Sequence, residues 1–587
     1  MSTATSAFLA GGEFLLRDLQ PEEVFTPEDF TSEHRAIAKT VEDFWASEVA
    51  PQLEALQHQE AGVGVALLRK SAELGLTSAA IPEDYGGMGL DLTSMMVIAE
   101  GVAKDGSYAA WHGAHTGIGT LPLLFFGTED QKRRYLPKLA SCEMIAAYCL
   151  SEAHAGSDAM AARTTAQLSG DGTHYVLNGQ KMWITNGGAA DLFTVFAKVD
   201  DKLTAFLVER SYEGVKAGPE EKKMGIKGSS TCPIYLDRVK VPVENVLGEV
   251  GRGHIIAFNI LNLGRLKLGP FAIGGAKNVL AASIRYAKDR IAFGKPIAQF
   301  GLIQQKLARM GALLFAAESM AYAVDGLVNQ MSGGLDWTLT DAATRVLKAA
   351  EEYAVECSFV KVFGSEMLDF VVDEGVQIHG GYGYHQDYLV ERAYRDSRIN
   401  RIFEGTNEIN RLLATGMLLK RAQRKQLALV SAVMKLQSEL LDAPQSSSNS
   451  STEKRLVQHS KKVVLLLLGT AYQRFGSEIE QQQEVMAAIA DAMMMIFGLE
   501  CAVLRTEKLK RLGTGKLAAE YTKIFLEKSL AVVESSASAV IAACSDGDER
   551  RTQIAIVRKL LRRDAIDTIS TGREIARGLL AAGRYAT

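Results

Sequence analysis

Residues 175–185, Tyr175-Val176-Leu177-Asn178-Gly179-Gln180-Lys181-Met182-Trp183-Ile184-Thr185, decide the architecture. Here β-branched and aromatic residues replace the three-and-four apolar spacing that rules the chain on either side. Phe193-Thr194-Val195-Phe196 and Ala205-Phe206-Leu207-Val208 continue the change, so a small β domain is predicted between about Ile145 and Val246. Within it, Asn178-Gly179 lies between two apolar runs. Both central residues of a type I′ turn need positive φ, and this pair tolerates it, so a hairpin turn is predicted there.

Working outward, Ile37, Val41 and Phe44 begin a helical block that runs from Pro27 to about Ser141, broken by the turn-rich Pro82-Glu83-Asp84-Tyr85-Gly86-Gly87. Helical spacing returns from Ile255 to about Lys435, with Ile303, Leu307, Met310 and Leu314 on one side of a long run. Ala443 to Thr452 reads APQSSSNSST, a polar stretch that cannot pack an apolar face. Beyond it, Arg455 to Ala586 is again helical in pattern. The division expected is 1–26 N-terminal extension, 27–144 helical domain, 145–250 β domain, 251–442 helical bundle, 443–452 Ser-rich linker and 453–587 C-terminal helical domain. A chain of 587 residues exceeds one ordinary core, in keeping with several subdomains that share interfaces.

Composition removes whole classes of function. Lys and Arg number 65 against 69 Asp and Glu, a formal charge of -4, so no general positive field exists to bind a nucleic-acid backbone. Six cysteines lie scattered without a C-x-x-C pair, unlike a disulfide framework or a zinc site, and no metal is expected. The first basic residue is Arg17, and the longest aliphatic stretch, Val463 to Leu468, is far shorter than the ~20 residues of a membrane span. A cytoplasmic protein is the expectation.

Three constellations could carry chemistry. In Arg398-Ile399-Asn400-Arg401-Ile402-Phe403-Glu404-Gly405-Thr406-Asn407-Glu408-Ile409 a carboxylate sits between an aromatic residue and a glycine at a helix entrance. Thr406 is the expected N-cap, with Ile409, Leu412, Leu413 and Met417 as the buried stripe of the helix that follows. Glu404 reads either as an acid satisfying free helix N–H groups, or as a general base whose pKa Phe403 raises while Gly405 allows close approach of a ligand. The second constellation is Tyr148-Cys149-Leu150-Ser151-Glu152, Ala155-Gly156-Ser157-Asp158 and Lys181 to Gly188. It gathers hydroxyls and backbone amides beside Trp183, which reads as a core indole among turn residues or as the wall of a planar, polar-edged cofactor. The third, Gln377-Ile378-His379-Gly380-Gly381-Tyr382-Gly383-Tyr384, could bring backbone close to a phosphate but is not a G-x-G-x-x-G dinucleotide fingerprint.

Together, in this order, the three constellations resemble those of the acyl-CoA dehydrogenase family, and most closely its very-long-chain subfamily and bacterial counterparts. Arg290-Ile291-Ala292-Phe293-Gly294, Phe300-Gly301-Leu302-Ile303-Gln304, Gly127-Thr128-Glu129-Asp130-Gln131-Lys132 and Met224-Gly225-Ile226-Lys227-Gly228-Ser229 add to the likeness. It covers about residues 25 to 420 closely and the region beyond the linker in architecture.

The resemblance implies a mainly α fold with a central β-barrel domain and an extra C-terminal helical domain. It also implies FAD as cofactor, with Tyr148, Leu150, Ser151, Gly156, Ser157, Trp183, Ile184 and Thr185 around the flavin end, and Thr406 and Glu408 on the Glu404 side. Arg290, Phe293, Gln377, Gly380 and Gly381 would meet the FAD of a second subunit in a homodimer. Ser157, Asn262, Arg265, Phe403 and Gly405 would hold a fatty acyl-CoA, and Glu404 would take its α-proton while hydride leaves the β-carbon. The product is a trans-2-enoyl-CoA, with electrons passed to electron-transferring flavoprotein in fatty-acid β-oxidation. Gly264 stands where some members carry the base, which leaves Glu404 as the single base and room for a long chain. Ala153-His154 and Cys142 depart from the family's usual turn residues. An acyl-CoA oxidase, or a scaffold protein on the same fold, are the rival readings.

Lys420-Arg421-Ala422-Gln423-Arg424-Lys425 runs into Leu427, Val430, Met434 and Leu441, a basic amphipathic stretch that fits either peripheral attachment to an anionic membrane or packing on the neighbouring bundle.

Overall fold

The computed structural model describes residues 9–441 and 451–587. Most of the Ser-rich linker therefore lies outside the described residues, as do residues 1–8 of the N-terminal extension. The chain resumes at Ser451, whose hydroxyl accepts the Lys454 N–H and caps the helix Thr452–Phe475.

The N-terminal helices begin where polar side chains can replace missing backbone partners. Thr31 and Thr128 form capping boxes on Ser32–Phe44 and Glu129–Ala140, and Asp91 and Asp105 cap Leu92–Val102 and Gly106–Ala114. Cys142 ends the last turn at φ 55°, the left-handed conformation that a glycine adopts more readily.

The middle domain holds β1 (Ala146–Cys149), β2 (Thr165–Leu168), β3 (His174–Thr185), β4 (Leu192–Val199), β5 (Lys202–Glu209), β6 (Val215–Ala217), β7 (Thr231–Pro242) and β8 (Val246–Leu247). They form one sheet in the order β6-β7-β3-β2-β4-β5-β8, with β1 pairing β4 in parallel. The expected barrel is corrected to an open sheet. Its edges are β6, three residues long, and β8, two residues long, and they pair with β7 and β5 rather than with each other. Strands that short leave no ladder along which a barrel could close. Nor do Asn178-Gly179 make a hairpin turn. Both lie inside β3, where a bulge shifts the register against β7 and Asn178 Oδ1 accepts the Arg238 N–H at 2.9 Å. The tight β4–β5 turn is instead Asp200-Asp201, at φ 46° and 61°, the two positive values of a type I′ turn in residues without glycine.

β4 and β5 are buried on both faces, which explains their unbroken apolar runs. Phe193, Val195, Phe206 and Val208 join a core with Phe44 and Trp45 of the N-terminal domain. Leu192, Phe196, Ala205 and Leu207 join another with Leu124, Leu136 and Ile260.

The long helices Gly253–Asp289, Gly301–Ser332 and Ala354–His379 share a third core with Gln483–Arg511 and Ala518–Cys544 from beyond the linker. Phe363 meets Phe525 edge-on at 5.5 Å, and Arg505 pairs with Glu318 at 2.6 Å and with Glu28 at 2.8 Å. The N-terminal extension is built into this core as well. Phe14 packs on Phe359 and Phe497, and the Gly12 N–H bonds Glu356 Oε1 at 2.7 Å. Gly301–Ser332 and Gln483–Arg511 are long and apolar enough to cross a membrane, yet 94% and 83% of their most apolar windows are buried inside the protein, as in core helices. The helix Leu429–Leu441 buries Leu429 and Leu436 and leaves Val430 and Met434 exposed.

Candidate active site

The Glu404 turn is held against its own conformational preference. Glu404 has φ 57° and Gly405 φ 77°, two successive left-handed residues. Glycine adopts this freely, but a residue with a side chain pays of order 1–3 kcal/mol unless its surroundings impose it. Three side chains impose it by binding the turn's carbonyls. Arg265 Nε donates to Glu404 O at 3.3 Å, and Lys361 Nζ donates to Gly405 O at 2.7 Å. Asn410 Nδ2 donates to Gly405 O at 2.8 Å and Thr406 O at 3.0 Å. Thr406 then caps the helix Asn407–Gln423 through the Ile409 N–H at 3.2 Å.

That helix buries Asn407, Asn410, Ala414, Thr415 and Leu418, whereas Ile409, expected in its buried stripe, is exposed. The correction has a clear cause: the buried face is polar because it is bonded. Asn407 joins Lys361 and Ser365, and Thr415 Oγ1 donates to Met486 O.

The turn aims the carboxylate at Gly264 on the helix Gly253–Asp289. A Cβ at that position would lie 2.7 Å from Glu404 Oε2, so only glycine leaves the acid its place. Oε2 is buried and has no hydrogen-bond partner among the described residues. Burial pushes the acid up to about 7, against the opposing pull of Arg265 and Lys361. Lys361 is itself pushed down to about 7 by burial. The carboxylate faces a cavity of about 170 Å³ whose lining includes Thr185, Leu263, Gly264, Phe271, Leu368 and Phe403. An acid titrating near neutrality on an apolar cavity wall is suited to proton abstraction.

The second constellation approaches the cavity from the sheet. Thr185 lines it directly; Leu150 and Ile184 are buried outside its lining, and the Tyr148 hydroxyl is buried, edge-on to Phe196, without a partner among the described residues. Trp183, at φ 62°, keeps 58% of its surface exposed, so it is not a core indole. Ser151 O accepts the Met182 N–H at 2.9 Å, which ties the two segments together. Their anchor is a pair that sequence reasoning did not single out. Glu152 bonds Lys181 Nζ at 2.6 Å, both are buried, and Glu152 also accepts from Arg163 N and Thr164 N. A lysine within a run of strand residues, two residues before Trp183, was the signal available for it. Gly156 and Ser157 lie exposed just after the turn that follows Glu152, outside the cavity lining. Ala153-His154 sit in that turn, which the Glu152–Ala155 backbone pair closes.

Asn262 Oδ1 accepts from Arg265 Nη1 at 2.7 Å, which places both one helical turn from Gly264 or nearer. Glu408 is exposed, and its own backbone N–H and the Thr406 hydroxyl hold its carboxyl below the usual range. The third constellation is not part of this cavity. Gln377, Gly380 and Gly381 lie exposed at the end of Ala354–His379, and the Arg290 guanidinium sits 5.6 Å from the Tyr382 ring beside them. Phe293 protrudes from the adjoining turn, 95% exposed.

The chain matches four acyl-CoA dehydrogenase domain models: the N-terminal domain over residues 31–143, the middle domain over 147–239, and two C-terminal domain models over 251–418 and 459–559. It is 48% identical over 583 residues to a probable acyl-CoA dehydrogenase of Bacillus subtilis (strain 168), covering 98% of both chains. The very long-chain specific acyl-CoA dehydrogenase of Bos taurus is 47% identical over 351 residues, 58% of this chain and 51% of that one. A crystal structure of an acyl-CoA dehydrogenase complexed with FAD from Bacillus anthracis superposes with a TM-score of 0.96 at 48% identity, over 98% of this chain and 100% of that one. The residues here fit that cofactor: Thr185 lines the cavity with Glu404, the Tyr148 hydroxyl is buried near that acid without a partner among the described residues, and Ser151 and the exposed Trp183 indole lie on the two segments that carry them. On fold, sequence and site alike, the chain belongs to the acyl-CoA dehydrogenase family, FAD-dependent oxidoreductases.

Proposed function

We propose that this protein converts medium- to long-chain fatty acyl-CoA to trans-2-enoyl-CoA in fatty-acid β-oxidation, with Glu404 as the base. The observation that carries the reading is the Glu404 carboxylate, buried against Gly264 with a free oxygen and a pKa lifted to about 7. A thioester α-hydrogen is far less acidic than an ordinary carboxylic acid, so the base must be desolvated and aimed before it can compete. Burial does the first and the Arg265, Lys361 and Asn410 contacts do the second. Phe403 and Leu263, which line the cavity, are assigned to keeping water from the reacting carbons. The Glu404 N–H, turned by the left-handed backbone, is assigned to the thioester carbonyl, where charge develops. When bound, FAD would supply the acceptor for the hydride of the β-carbon.

Tyr148, Leu150, Ser151, Trp183, Ile184 and Thr185 are assigned to the flavin end, and Ser157, Asn262 and Arg265 to the CoA portion. The exposed patch of Arg290, Phe293, Gln377, Gly380 and Gly381 is assigned to the FAD of a second copy, which makes the working unit a homodimer. Exposed Trp183 offers a route for electrons to electron-transferring flavoprotein. We place the protein in the cytoplasm, with peripheral membrane contact through exposed Val430 and Met434 beside the basic run 420–425.

Anaerobic mixing of the FAD-loaded enzyme with acyl-CoAs of graded length tests the reading. Flavin bleaching by the wild type, and its loss in Glu404→Gln, is the expected result; bleaching that survives the substitution removes Glu404 as base. Fast turnover with oxygen as sole acceptor marks an oxidase instead.

A further inference from the structure

Of the charged residues that line the cavity beside Glu404, Lys104 pairs with Glu42, Arg392 with Asp105, and Asp396 accepts the Ile226 N–H, which leaves Lys267 as the one without a charged or backbone partner among the described residues. Lys267 lies on the helix Gly253–Asp289, three residues past Gly264 and thus about 4.5 Å further along the axis. It lines the same cavity as Glu404, between Gly264 and Phe271. Its Nζ makes one hydrogen bond, to Thr116 Oγ1 at 2.9 Å, and sits 5.8 Å from the Phe271 ring. Among the described residues no carboxylate lies within ion-pairing distance of it. The two neighbouring histidines carry no charge that bears on it: burial holds His112 and His115 neutral, at about 3 and about 4, with their Nε2 atoms bonded to Leu76 O and Leu139 O. Beside it the cavity wall is built from glycines. A methyl on Gly117 would stand 3.9 Å from Nζ, and one on Gly113 would meet the Phe271 ring at 2.8 Å.

An ammonium offers three donors, and burying it without an acid is among the costlier things a cavity wall can do. Burial alone acts on this one, lowering it to about 8, so it keeps its charge at neutral pH. A wall meant only for methylenes gains nothing from such a group, and an alkyl chain lying against it strips the amine of solvent without replacing it. An oxygen on the acyl tail would replace it.

We propose that Lys267 is a specificity-determining residue that binds an oxygen acceptor, most strongly a carboxylate, carried on the acyl chain a few carbons beyond the reacting pair. This rests on the reading that the cavity receives the acyl chain, and it narrows the substrate class to tails bearing oxygen.

The test compares plain acyl-CoAs with ω-carboxyacyl-CoAs of matched length, by kcat/KM and anaerobic flavin bleaching, in the FAD-loaded wild type. At the length that reaches Lys267, the carboxylated substrate is expected to be favoured by about ten-fold or more, the scale of one charged hydrogen bond. Lys267→Met, which keeps the stem, should abolish that preference and improve plain chains; Lys267→Gln, which keeps a donor without charge, should fall between. Two results overturn the proposal: a wild type that handles plain chains at least as well at every length, or a preference that survives in Lys267→Met. Bleaching by plain chains with no carboxylate preference removes the lysine's role and leaves the dehydrogenase reading standing. No bleaching by any thioester removes both.

Discussion

Gly264→Ala separates the chemistry of the site from its stability, because the two should move in opposite directions. The added methyl would lie 2.7 Å from Glu404 Oε2 and 3.0 Å from its Cδ, closer than real Cβ contacts come. The carboxylate is the flexible partner, so it swings away by a fraction of an ångström to about 1 Å, and a displacement of that size at a reacting group costs up to ~100-fold. We therefore expect kcat for flavin reduction to fall about 10- to 100-fold, or ~1.4–2.7 kcal/mol of transition-state stabilisation. The helix itself gains. Alanine is favoured over glycine by ~1 kcal/mol in a helix interior, so the thermal midpoint should hold or rise as activity falls. The assay is stopped-flow bleaching at saturating acyl-CoA, with flavin content and melting temperature measured on the same preparation. A variant within two-fold of wild-type kcat would refute the claim that Gly264 exists to seat the carboxylate. One that loses activity only by losing FAD or melting early would refute the positional argument.

The pH dependence should carry the signature of the same acid: with Glu404 lifted to about 7, kcat/KM is expected to fall roughly ten-fold per unit below that value, and a limb near 4.5 would show the acid to be solvated. Its raised pKa also means that the folded state prefers the protonated form. That contribution is complete below the unfolded value of 4.5 and is lost as pH rises through about 7, so Glu404→Gln should stabilise the protein at pH 8, by up to about 3 kcal/mol in chemical denaturation at ~1.36 kcal/mol per unit. Lys361→Met leaves Gly405 O and Asn407 Oδ1 without this donor and removes a cation beside the acid. A loss of ~1–3 kcal/mol in stability and an upward move of the acidic limb are expected together. Glu152→Ala strands buried Lys181, and should cost about 3–5 kcal/mol in unfolding experiments and release FAD on gel filtration.

The helical blocks and the β insertion were legible because each has its own apolar period, and Thr406 was legible as a cap because a hydroxyl precedes a helical run. What the sequence hid has physical causes. Asn178-Gly179 carries the composition of a turn, but pairing with β7 absorbs it as a bulge, and Asp200-Asp201 make the turn without glycine. The barrel failed on strand length, which depends on where β6 and β8 stop and not on their composition. The shared core across the linker was invisible because apolar stripes show that a face is buried but not against what. Glu404 could be singled out as a candidate, yet its supports, Lys361 and Asn410, read as an ordinary helix lysine and asparagine.

Those supports explain why the acid occupies a turn and not a helix. On a helix a glutamate's N–H is committed to the carbonyl four residues back, so one residue cannot present both its carboxylate and its amide to a ligand. At φ 57° the amide is released from that ladder, and the three carbonyls of residues 404–406, which would otherwise compete for it or lie unpaired, are taken by Arg265, Lys361 and Asn410. A single residue can then offer a base to one atom of a thioester and a hydrogen-bond donor to another. The cationic partners hold the backbone without pairing with the carboxylate, whose Oε2 stays unbonded. Burial lifts the acid although both cations pull it down; moving either onto the carboxylate itself would lower it further, so holding their charge on the carbonyls leaves burial to keep the acid near neutrality.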